Sequence, residues 1–366
     1  MIWNRLMPHK KKKHMKMHKF KIALIVFLSL CLGIMAKTEI RKAYFKEFPS
    51  NRATQLDISN RYGKVLIENS SNDQVTISVE VSVEAASEKK AEHILNQIDI
   101  LLMNDNNHIQ AITQIEGKGW SGNVKLNIDY TISMPAYVNT HLENKYGQVS
   151  IANITGHFRG EVKYGSFNAN RLVPDDKNFI NELDLAYCNN SSVRYFSRLN
   201  LTLGYSKLKL GLGDALNFEA KYSDLKIEEI ALIKGELAYT DCAIEEALNV
   251  SIKAKYSDMD LGRISACLEV ETKYGDIDIA HLGRHFDWLK IEAAYSDVDI
   301  RVEEGSTYQL DLNTHYGDID VPPLHIEQRD DEGSERALLG YVGQPSESSP
   351  SIAISCNYGD ISIANF

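Results

Sequence analysis

Apolar residues alternate with polar residues along most of the chain, and this alternation recurs as one motif. The motif reads apolar-x-apolar-x-small-x-Tyr, then Gly, Ser or Thr, then one further residue and apolar-x-apolar. Its clearest copy runs from Leu268 to Ile279 (LEVETKYGDIDI). Because strict alternation is typical of a strand with one buried face, each copy predicts two short strands that meet near the tyrosine.

The motif places 12 of the 18 tyrosines at one repeat position. From Tyr146 to Tyr316 they are separated by 18, 23, 18, 17, 17, 17, 18, 21 and 21 residues, and a period near 20 is typical of a solenoid. Since neighbouring strands lie about 4.8 Å apart, we predict a structural ladder of stacked rings along one corner, in preference to a platform for sugars. The ladder comprises Tyr62, Tyr146, Tyr164, Tyr187, Tyr205, Tyr222, Tyr239, Tyr256, Tyr274, Tyr295, Tyr316 and Tyr358.

The step at the tyrosine reverses the parity of the alternation. Tyr274 has the parity of Leu268, whereas Ile277 and Ile279 have the opposite parity. A turn at Gly275 and the aspartate after it would let both strands point inward, because glycine tolerates positive φ and aspartate can bond to turn backbone. The predicted fold is therefore all-β: a right-handed parallel β-solenoid with rungs of about 17–21 residues.

The region 37–135 departs from the regular repeat. It holds one copy of the motif at 56–67, an alternating strand at 74–81 and an amphipathic helix pattern from Ser87 to Ile98. Further alternating strands are predicted at 109–115 and 124–132. We expect a β-rich cap with one helix over 37–135, covering the open end of solenoid repeats that occupy 136–366.

A second departure lies between Tyr316 and Tyr358, which are 42 residues apart, twice the local period. The charged stretch 328–336 (QRDDEGSER) and the segment 345–350 (PSESSP) favour solvent. This composition predicts a loop insertion at about 322–350 that interrupts or replaces one rung.

Residues 1–36 have the layout of a secretory signal peptide. A lysine-rich stretch precedes Ile22–Ala36, which is almost wholly apolar. These 15 residues are short for a membrane span, which needs roughly 20, so we expect no transmembrane span in the mature chain. Cleavage is predicted after Ala36, with an uncleaved anchor as the alternative because Ile34 fits the −3 position poorly. Export predicts a location in the periplasm, at the outer membrane or on the cell surface.

Removal of this leader changes the charge of the chain. It carries eight of the 40 basic residues and no acidic residue, which leaves 32 basic against 50 acidic residues and a net charge of −18. Such a chain repels nucleic acid and anionic lipid. The four remaining cysteines lack metal-ligand spacing, and we predict free thiols within the rungs.

Repeated aspartates are the sharpest chemical feature of the sequence. Alternation points them outward in two columns, the first with Asp258, Asp276, Asp297 and Asp318 and the second with Asp260, Asp278, Asp299 and Asp320. Ca²⁺ would relieve their repulsion, because it prefers several carboxylate and carbonyl oxygens. Alternatively, the first column bonds to the corner backbone and the second is solvated. No other cofactor or metal is expected.

The same pairs admit an enzymatic hypothesis, since two carboxylates can act as general acid and base on a polysaccharide. That chemistry needs one cleft and one carboxyl group with a raised pKa. Carboxylates repeated on many rungs indicate architecture instead, and we predict no catalytic residue.

Several of these features resemble the "putative adhesin" β-helix family of exported, Bacteroidetes-like bacterial proteins. The resemblance covers about residues 45–366 and rests on the Tyr-Gly-Asp-Ile-Asp-Ile step, the opening copy at 56–67 with the helix after it, Met134-Pro135, and the segment 340–343. It implies a β-helix fold and export, and it supplies no functional residues. The chain departs from it in its dense Tyr-Ser-Asp copies.

These observations together predict a non-enzymatic protein of the cell envelope, adhesin-like or structural, that binds a glycan or an envelope protein. One alternative is a polysaccharide-active β-helix enzyme that uses the aspartate pairs. Another is an accessory protein of envelope signalling.

Overall fold

The structure, a computed structural model, describes residues 37–366 apart from 118, 121 and 347. The predicted signal peptide lies outside the described residues. Strand follows strand along the described part of the chain, with one helix near its N-terminal end.

The strands fall into three groups along the chain. The first group is β1 (Thr38–Pro49), β2 (Gln55–Arg61), β3 (Val65–Asn69), β4 (Gln74–Ala85), the helix α1 (Glu88–Leu95), β5 (Ile98–Asp105), β6 (His108–Ile115) and β7 (Lys125–Met134). The repeats follow as β8 (Asn139–Lys145), β9 (Gln148–Ile154), β10 (Phe158–Lys163), β11 (Ser166–Leu172), β12 (Asn181–Ala186), β13 (Ser191–Gly204), β14 (Lys207–Lys221), β15 (Asp224–Ala238), β16 (Asp241–Lys255), β17 (Met259–Lys273), β18 (Ile277–Leu282), β19 (Trp288–Ala294), β20 (Val298–Val302), β21 (Tyr308–His315) and β22 (Ile319–Asp320). The last group is β23 (His325–Asp330), β24 (Glu335–Val342), β25 (Ser351–Asn357) and β26 (Ile361–Asn365).

Each rung of the solenoid consists of the segment before a marker tyrosine and the segment after it. The segments before the tyrosines pair in parallel to form one sheet, face A, where Leu216 lies between Leu199 and Ile233 of the neighbouring rungs. The segments after the tyrosines form a second parallel sheet, face B, where Leu225 lies beside Leu208. Every second side chain of both sheets points into the space between them, and this space holds the core. The predicted all-β solenoid is confirmed.

The corner between the two faces is built by tyrosine in a left-handed backbone conformation. All twelve marker tyrosines have φ between +51° and +64°. Gly275 is not among the described residues with positive φ, so the predicted positive φ at this glycine is wrong. Glycine is needed there for a different reason, because a Cβ on Gly275 would lie 2.1 Å from the carbonyl oxygen of Ser257 in the previous rung.

The N-terminal cap continues each face first with a parallel strand and then with antiparallel strands. β6 pairs with β2 and extends face A, and β5 pairs antiparallel with β6. On face B, β7 pairs with β3, and β4 and then β1 follow in antiparallel order. The helix α1 begins after Ser87, whose side chain accepts the backbone N–H of Lys90, and it buries Ala91 and Ile94. It ends earlier than the apolar pattern suggested, because Ile98 already belongs to β5.

At the C-terminal end, the order of the rungs in space differs from their order in the chain. β25 pairs in parallel with β19 on one side and with β21 on the other. β26 likewise lies between β20 and β22. The rung of Tyr358 therefore lies between the rungs of Tyr295 and Tyr316.

The segment at about 322–350 contains two strands where the sequence predicted a loop. β23 and β24 form an antiparallel hairpin, and β24 pairs antiparallel with β21 at the end of the solenoid. Leu338, opposite Leu312 in this register, is buried and covers the last rung. The polar composition arises because β23, the outer strand, is exposed along its whole length.

Candidate functional site

The marker tyrosines form one uninterrupted stack. Successive ring centroids lie 4.7–5.3 Å apart, with interplanar angles of 1–15°. In space the order is Tyr62, Tyr146, Tyr164, Tyr187, Tyr205, Tyr222, Tyr239, Tyr256, Tyr274, Tyr295, Tyr358 and Tyr316. An aromatic pair contributes about 0.5–1.5 kcal/mol beyond its burial. Twelve rings share eleven such contacts, about one per ring, which offsets part of the cost of the left-handed backbone, about 1–2 kcal/mol per residue.

The stack exposes ring edges and hydroxyl groups but not ring faces. The tyrosines are 37–54% exposed, yet both faces of every internal ring are covered by its neighbours. A sugar that stacks on an aromatic residue requires an open ring face. The internal rings therefore present no open face to a sugar, and the structural role of the ladder stays a prediction.

The residue after each tyrosine links neighbouring rungs through its hydroxyl group. Ser223 Oγ accepts the backbone N–H of Ser206 at 3.1 Å and donates to the carbonyl oxygen of Lys221 at 2.8 Å. Thr240 repeats the arrangement, accepting the N–H of Ser223. The buried hydroxyl groups in this column belong to Ser206, Ser223, Thr240, Ser257 and Ser296.

In five of the six copies where glycine follows the tyrosine, Asn, Thr or Cys lies two positions before the tyrosine and donates a hydrogen bond to a backbone carbonyl oxygen. Thr272 Oγ1 donates to the carbonyl oxygen of Gly275 at 3.3 Å, and Thr314 Oγ1 donates to that of Gly359 at 2.9 Å. Asn, Thr or Cys at the earlier position pairs with Gly, and Leu or Ala pairs with Ser, Thr or Cys, in 11 of the 12 copies. Sequence reasoning missed this pairing, although it is visible in the repeat.

The first aspartate column bonds to the backbone of the corner. The N–H of Asp276 donates to Oδ1 of Asp258 at 3.0 Å, and the N–H of Asp297 donates to Oδ1 of Asp276 at 2.8 Å. The series continues through Asp360 to Asp318, each step at 2.8 Å. One carboxylate oxygen of Asp258, Asp276, Asp297 and Asp360 is thus engaged by the next rung.

The aspartates of the second column lie next to one another, but their carboxylates do not converge on one point. Asp260, Asp278 and Asp299 lie side by side on successive strands, whereas Ser362 separates Asp299 from Asp320. Arg301 lies 3.8 Å from Asp278. Within residues 37–366 as described, no three His, Cys, Asp or Glu side chains are grouped to hold a metal ion. Calcium between the columns stays a prediction.

Face A carries a shallow polar trough that runs across the rungs. Its first part, about 470 Å³, lies over the strand backbones between two rows of outward side chains and crosses six rungs. The first row is Arg159, Glu182, Asn200, Asn217, Lys234 and Ser251, and the second is Glu161, Asp184, Thr202, Glu219, Glu236 and Lys253. A second part of about 840 Å³ adjoins it and reaches Ser355.

Three of the four outward side chains on the two central rungs of the trough are uncharged, the fourth being Glu219, and the rungs on either side carry charged residues. Asn200, Asn217 and Thr202 offer both donors and acceptors there. Around them, Lys163 pairs with Glu161 at 2.7 Å, and Lys253 pairs with Glu271 at 2.7 Å.

Two carboxyl groups of the trough have shifted pKa values in opposite directions. Partial burial raises the pKa of Asp184, although Lys163 opposes this shift. The hydrogen bond from Lys163 lowers the pKa of Glu161. Sequence reasoning missed this surface, because single Asn, Thr, Glu and Lys residues on alternating strands do not form a motif.

The cysteines have free thiols in the described residues. Cys188, Cys242 and Cys356 are buried, and Cys267 is half-buried. Burial raises the pKa of Cys242 to about 12 and that of Cys356 to about 11. Among the described residues, no helix is both long and apolar enough to cross a membrane.

A protein-family model matches most of the described chain. The model described as Toastrack DUF4097 matches residues 51–364. The chain belongs to the Toastrack family. The match begins after β1 and spans the rest of the N-terminal cap and the rungs, and the family resemblance indicated by the sequence is confirmed.

The solved structures that this Toastrack chain matches share little sequence with it. A "putative cell adhesion protein" from Clostridium sporogenes ATCC 15579 is 11% identical, with 89% of this chain and 100% of that chain covered and a TM-score of 0.20. A "putative adhesin" from Parabacteroides distasonis ATCC 8503 is 10% identical over 88% of this chain and 97% of that chain, with a TM-score of 0.32. A "putative lipid binding protein" from the same organism is 10% identical over 88% and 96%, also at 0.32. No curated protein matches the chain.

Proposed function

We propose that this protein is an exported, non-enzymatic binding protein of the cell envelope that holds an extended glycan along the trough of face A. The observation that carries the proposal is the trough itself, in which two rows of polar side chains repeat across six rungs. Rungs stack at about 4.8 Å, so the trough offers polar side chains of differing charge at regular intervals over roughly 24 Å. A polymer with a regular repeat is the ligand that such a surface suits.

The chemistry of the trough supports binding more than turnover. Asn amides and Thr hydroxyls both donate and accept hydrogen bonds, which suits the hydroxyl groups of a sugar. The outward aspartates of face B are spread over many rungs, and the first column is engaged by backbone N–H groups. These features favour a binding surface over a single reactive centre.

A glycan array tests the proposal most broadly. Residues 37–366 would be applied with calcium and then with a chelator, beside the double variant Asn200→Ala/Asn217→Ala. The matched control is Lys209→Ala/Lys226→Ala, which changes outward residues of the same two rungs on face B. We expect binding to a defined glycan that the face A variant loses and the face B variant retains.

The other outcomes separate the remaining hypotheses. Binding lost with the chelator and with changes at Asp258 or Asp276 would move the site to the aspartate columns. Hydrolysis of a polysaccharide that depends on the aspartates would replace the proposal by the enzymatic alternative. No glycan bound under either condition would contradict it and favour a protein partner, to be sought by pull-downs from the envelope.

A further inference from the structure

The rung of Tyr358, which is the last in the sequence, fills a gap between the rungs of Tyr295 and Tyr316. We call this gap the slot. Between β20 and β21, residues 303–307 carry the chain past one rung position, so that Tyr295 and Tyr316 end up on either side of a third ring. That ring belongs to Tyr358, whose centroid lies 4.8 Å from Tyr295 and 4.7 Å from Tyr316. The slot is thus one rung wide, with a parallel strand on each side of both faces.

The segment 351–366 is held in the slot on two sides and buries its apolar side chains there. Seven residues of β25 pair with β19, and the same seven pair with β21. Ile352, Ile354, Ile361 and Ile363 are at most 3% exposed. Without an occupant, the slot would present unpaired strand edges and an open core, which recruit other chains.

A short tether connects this segment to the rest of the molecule. Residues 343–350 join the end of β24 at Val342 to the start of β25 at Ser351. Gly343 has φ of +76°, and Gln309 bonds to the tether twice, from Nε2 to the carbonyl oxygen of Ser346 at 3.2 Å and from its backbone N–H to that of Pro350 at 2.9 Å. Eight residues span at most roughly 26–29 Å when extended, so an exchanged segment must come from a molecule that lies within this distance.

We propose that the slot also accepts residues 351–366 of a second copy of this chain, so that two molecules exchange their C-terminal rungs. The strand pairs and core contacts would be the same in the exchanged and unexchanged forms, and only the tether would change its path. Exchange of an identical element in this way is a low-cost route to a dimer, and the added strand is recognised through main-chain hydrogen bonds. The balance depends on protein concentration, because the tether favours the internal segment at high dilution.

A disulfide across the slot shows whether it is filled by residues 351–366 of the same chain or by those of a second copy. Asn313 and Ser355 are opposite each other on β21 and β25, and Ser355 Oγ donates to Asn313 Oδ1 at 2.8 Å. The variant is Asn313→Cys/Ser355→Cys with Cys267→Ser to remove the half-buried thiol. The chain would be refolded at high concentration, separated into monomer and dimer by size exclusion, oxidised and run on a non-reducing gel.

The proposal expects covalent dimers from the dimer fraction and single cross-linked chains from the monomer fraction. The matched control is Lys253→Cys/Glu271→Cys in the same background, since these residues face each other on β16 and β17, away from the segment. It should give links within one chain in both fractions.

A second measurement uses the unaltered chain. Light and isotope-labelled protein refolded together should give dimers of mixed mass in native mass spectrometry. Absence of dimers after concentrated refolding, or dimers whose 313–355 disulfides all lie within one chain, would overturn the proposal.

Discussion

At the scale of single residues, two consecutive residues build each corner of this kind: the tyrosine and the residue after it. Tyrosine adopts the left-handed turn, and the hydroxyl group after it satisfies a buried N–H of the preceding rung. The sequence identified the tyrosines, because a repeated aromatic residue is conspicuous. It did not identify their conformation, because left-handed φ is normally assigned to glycine, which here follows the tyrosine in half of the copies.

The hydroxyl column predicts a loss of stability when one member is removed. Ser223→Ala leaves the N–H of Ser206 without its acceptor in a buried position, which costs about 1–3 kcal/mol. Urea unfolding followed by circular dichroism measures this loss. Ser223→Thr is the control, since Thr240 occupies the same position in the next rung. Its free energy of unfolding should stay close to that of the unaltered chain. Equal stability of all three proteins would argue against the column.

The left-handed tyrosines predict an unusual order of two substitutions. At Tyr239, with φ of +53°, both Ala and Gly remove two ring contacts, but only Ala keeps the strained conformation of a residue with a Cβ. Tyr239→Ala should therefore unfold more easily than Tyr239→Gly, by about 1 kcal/mol. The reverse order in urea unfolding would mean that this position does not need the left-handed turn.

At the scale of elements, the close approach of neighbouring corners predicts which glycines resist substitution. A Cβ on Gly275 meets backbone at 2.1 Å, whereas a Cβ on Gly204 meets nothing within 4 Å. Gly275→Ala should lower the midpoint of thermal unfolding by several degrees, because the two backbones must separate. Gly204→Ala should leave it unchanged or slightly higher, and a similar loss in both variants would show that strand flexibility matters instead.

The elements also show what the sequence could predict and what it could not. The alternation predicted the strands of the rungs and the two faces that they form, because parallel rungs repeat one local pattern. The interleaved last rung was not predictable in this way, since the copy at 352–363 reads like any other copy and its position depends on pairing with β19 and β21. The hairpin of β23 and β24 was missed because a strand exposed on both sides has the composition of a loop.

At the scale of the whole molecule, the long core contains weak acids that stay neutral when folded. Burial raises the pKa of Tyr308 to about 12, and its hydroxyl group has no hydrogen-bond partner within the described residues. A group whose pKa is raised on folding stabilises the fold fully below its unfolded pKa, near 10 for tyrosine, and loses this contribution as pH rises through the folded value. Cys242 and Cys356 act in the same direction from about pH 9.

Stability should therefore be steady up to about pH 9 and fall between about pH 9 and 12. Tyr308→Phe should stabilise the protein slightly at neutral pH, because it removes an unpaired buried hydroxyl group. In this variant the free energy of unfolding should also fall less steeply between about pH 9 and 12. Urea unfolding at a series of pH values checks both effects, and an identical pH profile in the variant would contradict this role of Tyr308.

The trough of face A is long enough for its proposed role in glycan binding to be tested directly. Oligosaccharides of increasing length, drawn from a glycan bound on the array, would be titrated into residues 37–366 by calorimetry. We expect affinity to rise with each added sugar until the oligosaccharide spans the trough and then to level off, and we expect Asn200→Ala/Asn217→Ala to remove the rise. Equal affinity for the shortest and longest oligosaccharides, or a rise that the variant leaves intact, would show that the ligand does not lie along face A.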